Sequence, residues 1–479
     1  MTELLFPPLL PLIWMALCRW RPVCSPWALL AVASALALLA WMAIGCTDAG
    51  VSGRLSLLPV LGVGLRLDGV AALMLGLTWL LITGGGLHAW GFLEAELAFR
   101  QRRRFWCCLA LLWGGLNLVW LASDLLLLFM GLELVAVAVV LLIQLRPGAA
   151  TRAAARGYLI VVLSGAPVLV LAGFVLFVGS GSLTLRELEP ADSSLLQMAA
   201  LLVTAGLVGR AALFPLHTWL PPAHGAAEPP ISALLSALVT KASFYSLFRF
   251  WHESGLNAPF WLVMLLGVLG ALAIAWGGWK AWCEPRLKML VAWSSVNQLG
   301  YLFLVFPIVA AASVAMAPMA RAGVFVFVLN HALAKAALFM AAGNLIRAMG
   351  AGGVRDLGGT GQRIPVSLLS FGLAGVAIMG LPPSGGFAAK WLLLETSLDS
   401  GQWWWTAVIA GGGLVSAAYI FRVYRQTYLT EGEALVLTPP PRALEVMPML
   451  LALMAAGMGL FLSPILQLMG LPGPGEGTP

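Results

Sequence analysis

Four basic residues lie inside apolar stretches long enough to cross a bilayer: Arg210, Lys241, Lys335 and Lys390. An ionisable side chain at the centre of a spanning helix costs about 2.5–3.5 kcal/mol on insertion scales, so such groups mark routes lined by protein or water. Glu133, near the centre of DLLLLFMGLELVAVAVVLLIQL, needs the same explanation, and an ion pair is the plainest one. A buried lysine can give up its proton, whereas a guanidinium keeps its charge. Lys241 and Lys335 therefore read as proton carriers, and Arg210 as a fixed counter-charge for Glu133. His331 precedes Lys335 by four residues, which puts both on one helix face. Two titratable bases stacked in apolar surroundings suit a proton relay.

The stretch that must position the first of these groups is TAGLVGRAALFPLHTWLPPAHGAAEPPISALLSALVTKASFYSLFRF, residues 204–250. Two apolar helical runs meet there across Pro215, Pro221, Pro222, Pro229 and Pro230, with His217 and His224 in the interruption. Proline removes a backbone donor and breaks the helix, and broken backbone at membrane depth is tolerated only where protein or a wet cavity surrounds it. A second interruption, Pro382, Pro383, Gly385 and Gly386, comes just before Lys390. The two lie five spans apart, an odd offset that inverts topology, so spans four to eight and nine to thirteen read as two inverted repeats. Between them, LKMLVAWSSVNQLGYLF carries the polar patch Ser294, Ser295, Asn297 and Gln298, which either bonds neighbouring helices or lines a wet channel. Asp124 reads as an N-terminal helix charge, and His88 as an interfacial histidine. The mixed-sign run EAELAFRQRRR reads as a face touching headgroups or a partner, or as a topology anchor.

Composition sets the class. Sixty-one percent of the residues are hydrophobic and ten percent charged, and no polar stretch is long enough to carry its own core. The chain is expected to be an all-α polytopic membrane protein with about fourteen transmembrane helices, near residues 4–20, 27–46, 66–90, 105–122, 124–145, 157–178, 193–219, 229–251, 258–279, 287–306, 321–347, 365–397, 402–424 and 443–468. Leu4–Trp20 lacks a basic leader and is taken as a retained span. The net charge of +7 reflects orientation rather than nucleic-acid binding. Eighteen basic residues fall in odd-numbered loops, five in or beside even-numbered ones, and four inside spans. The positive-inside rule then puts both termini on the outer side of a bacterial-type inner membrane. The organisation expected is N-terminal helices over 1–104, half-channels over 105–251 and 258–424, and a C-terminal loop, helix and disordered tail over 425–479. Six cysteines show no ligand spacing for zinc or an iron–sulfur cluster, and no dinucleotide, Walker or haem-attachment motif occurs. The residues thus indicate no cofactor or metal, and any redox chemistry would belong to another chain.

The run ALFPLHTWLPPAH, followed by PISALLSALVTKASFYSLFR, resembles the signature of the proton-conducting, antiporter-like membrane subunits shared by respiratory complex I, the Mrp cation/proton antiporters and membrane-bound hydrogenases. LKMLVAWSSVNQLGY, NHALAKAALF and GLPPSGGFAAKWLLLE resemble its later segments, and the likeness covers about residues 66–430. It implies fourteen spans, two broken helices, inverted five-helix repeats and a polar axis through the membrane interior. It also implies that Glu133 is the channel glutamate, Lys241 a channel lysine, His331 and Lys335 the central relay, and Lys390 the end of the outward half-channel. His217, Ser294, Ser295 and Asn297 would be secondary members. The family has lysine where this chain has Arg210 and proline where it has Glu228. Arg210 then either tunes Glu133 electrostatically or compromises that half-channel. Lys390 and the short C-terminus are closest to the Mrp D-like and complex I M/N-type subunits, with no room for a lateral helix.

The expected function is proton translocation within a multisubunit membrane complex, driven by electron transfer to quinone or protons, or by counter-flow of a cation such as Na+. Its partners would be other membrane subunits and the lipid bilayer. Two alternatives stand beside it: a membrane partner of a soluble zinc protein in inorganic-carbon uptake, and a structural paralogue that conducts nothing.

Overall fold

An apolar sequence of this kind can satisfy its backbone in a bilayer only as helix or closed barrel, and the described residues are helical nearly throughout. The computed structural model describes residues 2–20, 28–36, 53–58, 63–94, 96–186, 194–256, 258–429 and 438–471. Among them, ten helices are long and apolar enough to cross a membrane: Gly69–Leu93, Phe99–Leu121, Leu125–Ile143, Ala149–Ser180, Pro229–Glu253, Phe260–Cys283, Leu287–Ala311, Ala317–Met349, Trp403–Tyr428 and Arg442–Leu468. Glu3–Leu17, Ser194–Val208 and Pro365–Met379 are shorter apolar helices. Most of the span expected over 27–46 and the C-terminal tail lie outside the described residues. The broken segments account for the last two of these. The span expected over 193–219 stops as regular helix at Val208, and the one over 365–397 is two helices, Pro365–Met379 and Gly385–Asp399.

Among the described residues, one element departs from an all-helical reading. Gly53–Leu58 pairs antiparallel with Val63–Leu67 in a two-stranded hairpin, so the span expected from residue 66 begins at Gly69. Asp68 ends the strand and caps that helix, its side chain accepting from the Ala71 N–H, which satisfies an otherwise orphaned donor.

The chain forms two units, Met1–Ala212 with Leu238–Pro259, and Leu213–Ala237 with Phe260–Pro479. In the first, Asp124 is the N-cap of Leu125–Ile143 and is fully buried. Its carboxylate accepts from Leu127 N–H at 2.9 Å and from Gly64 N–H at 2.9 Å, and so ties the hairpin to the helix. Asp124→Ala is expected to cost about 0.5–2 kcal/mol as a lost cap, and to release the hairpin. Asp124→Asn, which keeps an acceptor, should cost less, and thermal unfolding in detergent compares the two. Ala149–Ser180 and Ser194–Val208 approach closely at Gly165 and Gly206, where a Cβ on Gly165 would lie 2.6 Å from the Gly206 carbonyl. Small residues at such crossings let helix backbones meet.

In the second unit, Phe260–Cys283 crosses Leu287–Phe303 in the same manner. A Cβ on Gly270 would stand 2.7 Å from the Gly300 carbonyl, and one on Gly277 would stand 2.4 Å from the Asn297 nitrogen. The approach lets Asn297 donate to the Ile274 carbonyl at 2.7 Å. Gly386 meets the Ala377 carbonyl as closely, across the second break. By contrast, Ala149–Ser180 and Trp403–Tyr428 each have about a third of their length buried (33%), and their remaining apolar faces suit lipid or another subunit.

Candidate functional site

Lys241 and Lys335 are carried by Pro229–Glu253 and Ala317–Met349, two helices buried along their whole spanning length. Both lysines have no exposed surface, and Arg210 and Lys390 are 4% and 6% exposed. A charge in such a position costs less when it has hydrogen-bonding partners. The way each is held differs.

In the first unit, Arg210 follows the Ser194–Val208 helix and reaches Glu133 of Leu125–Ile143. Its Nη2 donates to Glu133 Oε1 at 2.5 Å and to the Val162 carbonyl at 3.1 Å. The pair is asymmetric: Glu133 has 31% of its side chain exposed and Arg210 has 4%. Arg210 Nε is buried without a hydrogen-bond partner. Lys241 comes just after a π-helical turn, Leu235–Val239, inserted between Pro229–Leu234 and Thr240–Glu253. Such turns widen the helix locally and recur at functional sites.

In the second unit, the interrupted segment forms a short helix, Leu220–Ala226, preceded by the turn Leu216–Trp219. The Phe214–Pro215 bond is cis. His217 stacks on Phe214 with centroids 5.4 Å apart and meets Trp293 edge-on at 5.8 Å. His224, in the same interruption, is buried in the short helix and stacks on Phe339 at 4.7 Å. Beside it, Lys288 Nζ donates to the Ala227 carbonyl. Ser232 of the following helix donates to the His224 carbonyl at 3.1 Å, and Ser236 shares a 2.9 Å bond with Ser295.

Lys335 Nζ donates to Ser294 Oγ, and to the Val291 carbonyl at 3.1 Å. His331, one turn earlier, packs 6.0 Å from Phe327, which in turn packs 5.3 Å from Tyr301. The patch read in the sequence is a side-chain network. Gln298 Nε2 donates to Asn297 Oδ1 at 2.7 Å and to Ser416 Oγ at 2.9 Å, and Ser416 donates to Asn297 Oδ1 at 3.1 Å. Asn297 is in it, while Ser294 accepts from Lys335 and donates to the Val291 carbonyl at 2.8 Å, and Ser295 turns to Ser236.

Lys390 folds back across its own break. Its Nζ donates to the Ile378 and Met379 carbonyls at 3.1 and 2.9 Å, the last of the preceding half-helix, and lies 4.7 Å over the Tyr301 ring. The chain reverses at Gly380, where φ is +84°. A cation at a helix C-terminus satisfies orphan carbonyls and complements the dipole. Glu395 is exposed, away from this arrangement.

Sequence reasoning missed two features. Tyr301, Ser416 and Tyr419, all buried, border the network from Leu287–Phe303 and Trp403–Leu429. The run GGGLVSAAY, small residues with hydroxyls three apart, was the available signal. Separately, the first unit holds a charged cluster on the helix of Lys241. Arg249 Nε meets Glu253 at 2.8 Å, and its Nη1 donates to the Trp120 and Ala122 carbonyls at 3.1 and 2.7 Å. Arg66 bridges Glu253 at 3.1 Å and Asp68 at 2.8 Å, and Arg186 approaches Glu253 at 3.6 Å. Arg249 and Glu253 are only one turn apart, but the partners that make them a cluster, Arg66, Arg186 and the Trp120 and Ala122 carbonyls, lie far away in the chain and leave no local pattern.

Residues 122–416 match the family model described as NADH:quinone oxidoreductase/Mrp antiporter, TM. The chain is 30% identical over 413 residues to NADH-quinone oxidoreductase subunit N of Desulforudis audaxviator, covering 83% of this chain and 80% of the relative. It is 28% identical over 393 residues to NAD(P)H-quinone oxidoreductase chain 4 2 of Trichodesmium erythraeum, covering 79% and 67%. In fold it is similar to a chain of the Mrp complex from Dietzia sp. DQ12-45-1b, with a TM-score of 0.85 at 22% identity over 98% of this chain and 96% of that one. A chain of the membrane-bound sulfane sulfur reductase, an archaeal respiratory membrane complex, is similar to the same degree (TM-score 0.85, 22% identity, 98% and 96% covered). The sequence match runs through the segments that carry Glu133, Arg210, Lys241, Lys335 and Lys390, and the chain belongs to the NADH:quinone oxidoreductase/Mrp antiporter family of transmembrane subunits.

Proposed function

We propose that this chain translocates protons as an antiporter-like subunit of a multisubunit membrane complex. The observation that carries the reading is the burial of Lys241 and Lys335, each with no exposed surface, on helices enclosed along their spanning length. Cations so placed are held at a cost that a purely structural helix would not meet. In the first unit, the Arg210–Glu133 pair sets a field that biases protonation of Lys241. In the second, protons pass by His331 and Lys335 to Lys390, with Ser294 and Asn297 alongside, and His217 and Ser295 as secondary members. About fourteen spans, two inverted repeats over 105–251 and 258–424, and termini on the outer side complete the reading. Moving each charge against the potential takes about 2.3 kcal/mol per 100 mV. The drive comes from partner subunits, as electron transfer or as counter-flow of a cation such as Na+.

The test is proton uptake by proteoliposomes holding the complete complex, with Lys241→Ala compared with the parent. Flux should fall by about a hundredfold or more, the contribution typical of a positioned proton-transfer group. Equal flux would make the chain a structural paralogue.

A further inference from the structure

An α-helix ends in four main-chain carbonyls that its own turns leave without donors, and at the second break each of the four has found one. In Pro365–Met379 they belong to Val376, Ala377, Ile378 and Met379. Val376 accepts from the Gly380 and Leu381 N–H groups at 3.1 and 3.2 Å. Ile378 and Met379 accept from Lys390 Nζ. Ala377 accepts from Asn330 Nδ2 at 3.2 Å. Asn330 is 1% exposed and comes from Ala317–Met349, the helix that carries His331 and Lys335. The returning half-helix closes over this bond: a Cβ on Gly386 would stand 2.0 Å from the Ala377 oxygen and 2.9 Å from Asn330 Nδ2.

Asn330 thus shares the helix end with Lys390. An ammonium has three N–H donors. Two of those on Lys390 go to Ile378 and Met379, and Nζ lies 4.7 Å from the centre of the Tyr301 ring. The helix end offers the third donor no carbonyl, because the Asn330 amide has taken the neighbouring one. The amide is there for its donor. Asn330 Oδ1 is buried with no hydrogen-bond partner among the described residues, an idle acceptor that costs stability and that a leucine of similar shape would avoid. We propose that Asn330 is a positioning residue for Lys390: by occupying the Ala377 carbonyl, it keeps one of the three ammonium protons off the main chain and free to be passed on. In the release step that Nζ–H bond breaks and its electron pair stays on the nitrogen. The proton goes to water on the outward side, while the amine keeps its bonds to Ile378 and Met379. Without the amide, the third N–H turns to Ala377, and every proton of the ammonium is fastened to the helix end.

This inference rests on the proton-translocation reading, and the experiment separates the two. Asn330→Leu, Asn330→Gln and Lys335→Ala are compared with the parent by proton uptake in proteoliposomes of the complete complex, in H2O and in D2O. Asn330→Leu should lower flux by about a hundredfold, the effect of a misplaced reacting group. It should also raise the solvent isotope effect, because release from Lys390 becomes the slow step. Asn330→Gln, which keeps the amide, should recover most of the flux. A purely structural cap would lower flux in Asn330→Leu only by thinning the folded population, at the parental isotope effect. That result, parental flux in Asn330→Leu, or no recovery in Asn330→Gln would overturn the positioning role alone, provided Lys335→Ala is inactive. Parental flux in Lys335→Ala would overturn the underlying reading and this one with it. Should Asn330→Leu unfold early, Asn330→Met removes the same donor with a more adaptable side chain and carries the same expectation.

Discussion

Lys390→Arg is expected to leave the protein folded and to stop it conducting. Lys390 does two things at once. Its Nζ satisfies the Ile378 and Met379 carbonyls that the helix break leaves without donors, and by the proposed function it takes up and releases a proton. A guanidinium can do the first, since it donates to carbonyls and stacks on an aromatic face such as that of Tyr301. It cannot do the second, because it holds its proton throughout the physiological range. Flux should therefore drop by about a hundredfold, within the span set by loss of a positioned proton-transfer group, while the unfolding midpoint stays near that of the parent. Lys390→Ala should lose both properties, because buried carbonyls stripped of a donor cost about 1–3 kcal/mol. Proteoliposome flux and thermal unfolding of the two variants resolve the roles. An Arg variant that conducts at the parental rate would reduce Lys390 to a structural cap.

The same residue shows what the sequence could and could not say. A lysine inside an apolar run stands out, so Arg210, Lys241, Lys335 and Lys390 were legible as buried cations before any fold was known. What holds Lys390 was not legible, because its partners are main-chain carbonyls, which every residue carries. The prolines marked where both broken helices stop. They did not tell that Gly380 reverses the chain at positive φ so that Lys390 can reach back. The polar patch at 294–298 stood out as a patch, but its completion by Ser416 and Tyr419 depends on a contact more than a hundred residues away, permitted by glycines that read as ordinary small residues. The strand pair Gly53–Leu58 and Val63–Leu67 went unread because the alternation of Val63, Leu65 and Leu67 is too short to stand out beside the long apolar run that follows it. What holds it is long-range: the Asp124 carboxylate and the Ser123 hydroxyl both bond Gly64, and Arg66 bridges Glu253.

Arg249→Ala should be among the most destabilising single substitutions in the first unit. Arg249 is 4% exposed, Glu253 is 7% exposed, and their bond at 2.8 Å joins positions one turn apart on the helix of Lys241. The same guanidinium holds the Trp120 and Ala122 carbonyls where Phe99–Leu121 ends, and donates to Tyr245 Oη at 3.2 Å. Alanine would strand those acceptors together. Arg66 and Arg186 would still face Glu253, so the carboxylate would keep some charge balance, but the link from Pro229–Glu253 to the Phe99–Leu121 terminus would be gone. Removing one partner of a buried pair typically costs about 3–5 kcal/mol, far more than the pair contributes against an apolar replacement. Arg249→Lys keeps the charge and loses the planar fork that reaches carbonyl and carboxylate together, so its loss should be intermediate. Thermal unfolding in detergent should rank the parent above Lys and Lys above Ala. If Ala matched the parent, the cluster would be a surface decoration rather than the fixture that holds the Lys241 helix. If Lys matched Ala, the charge would count for little, and the fork geometry at Trp120 and Ala122 would carry the stabilisation.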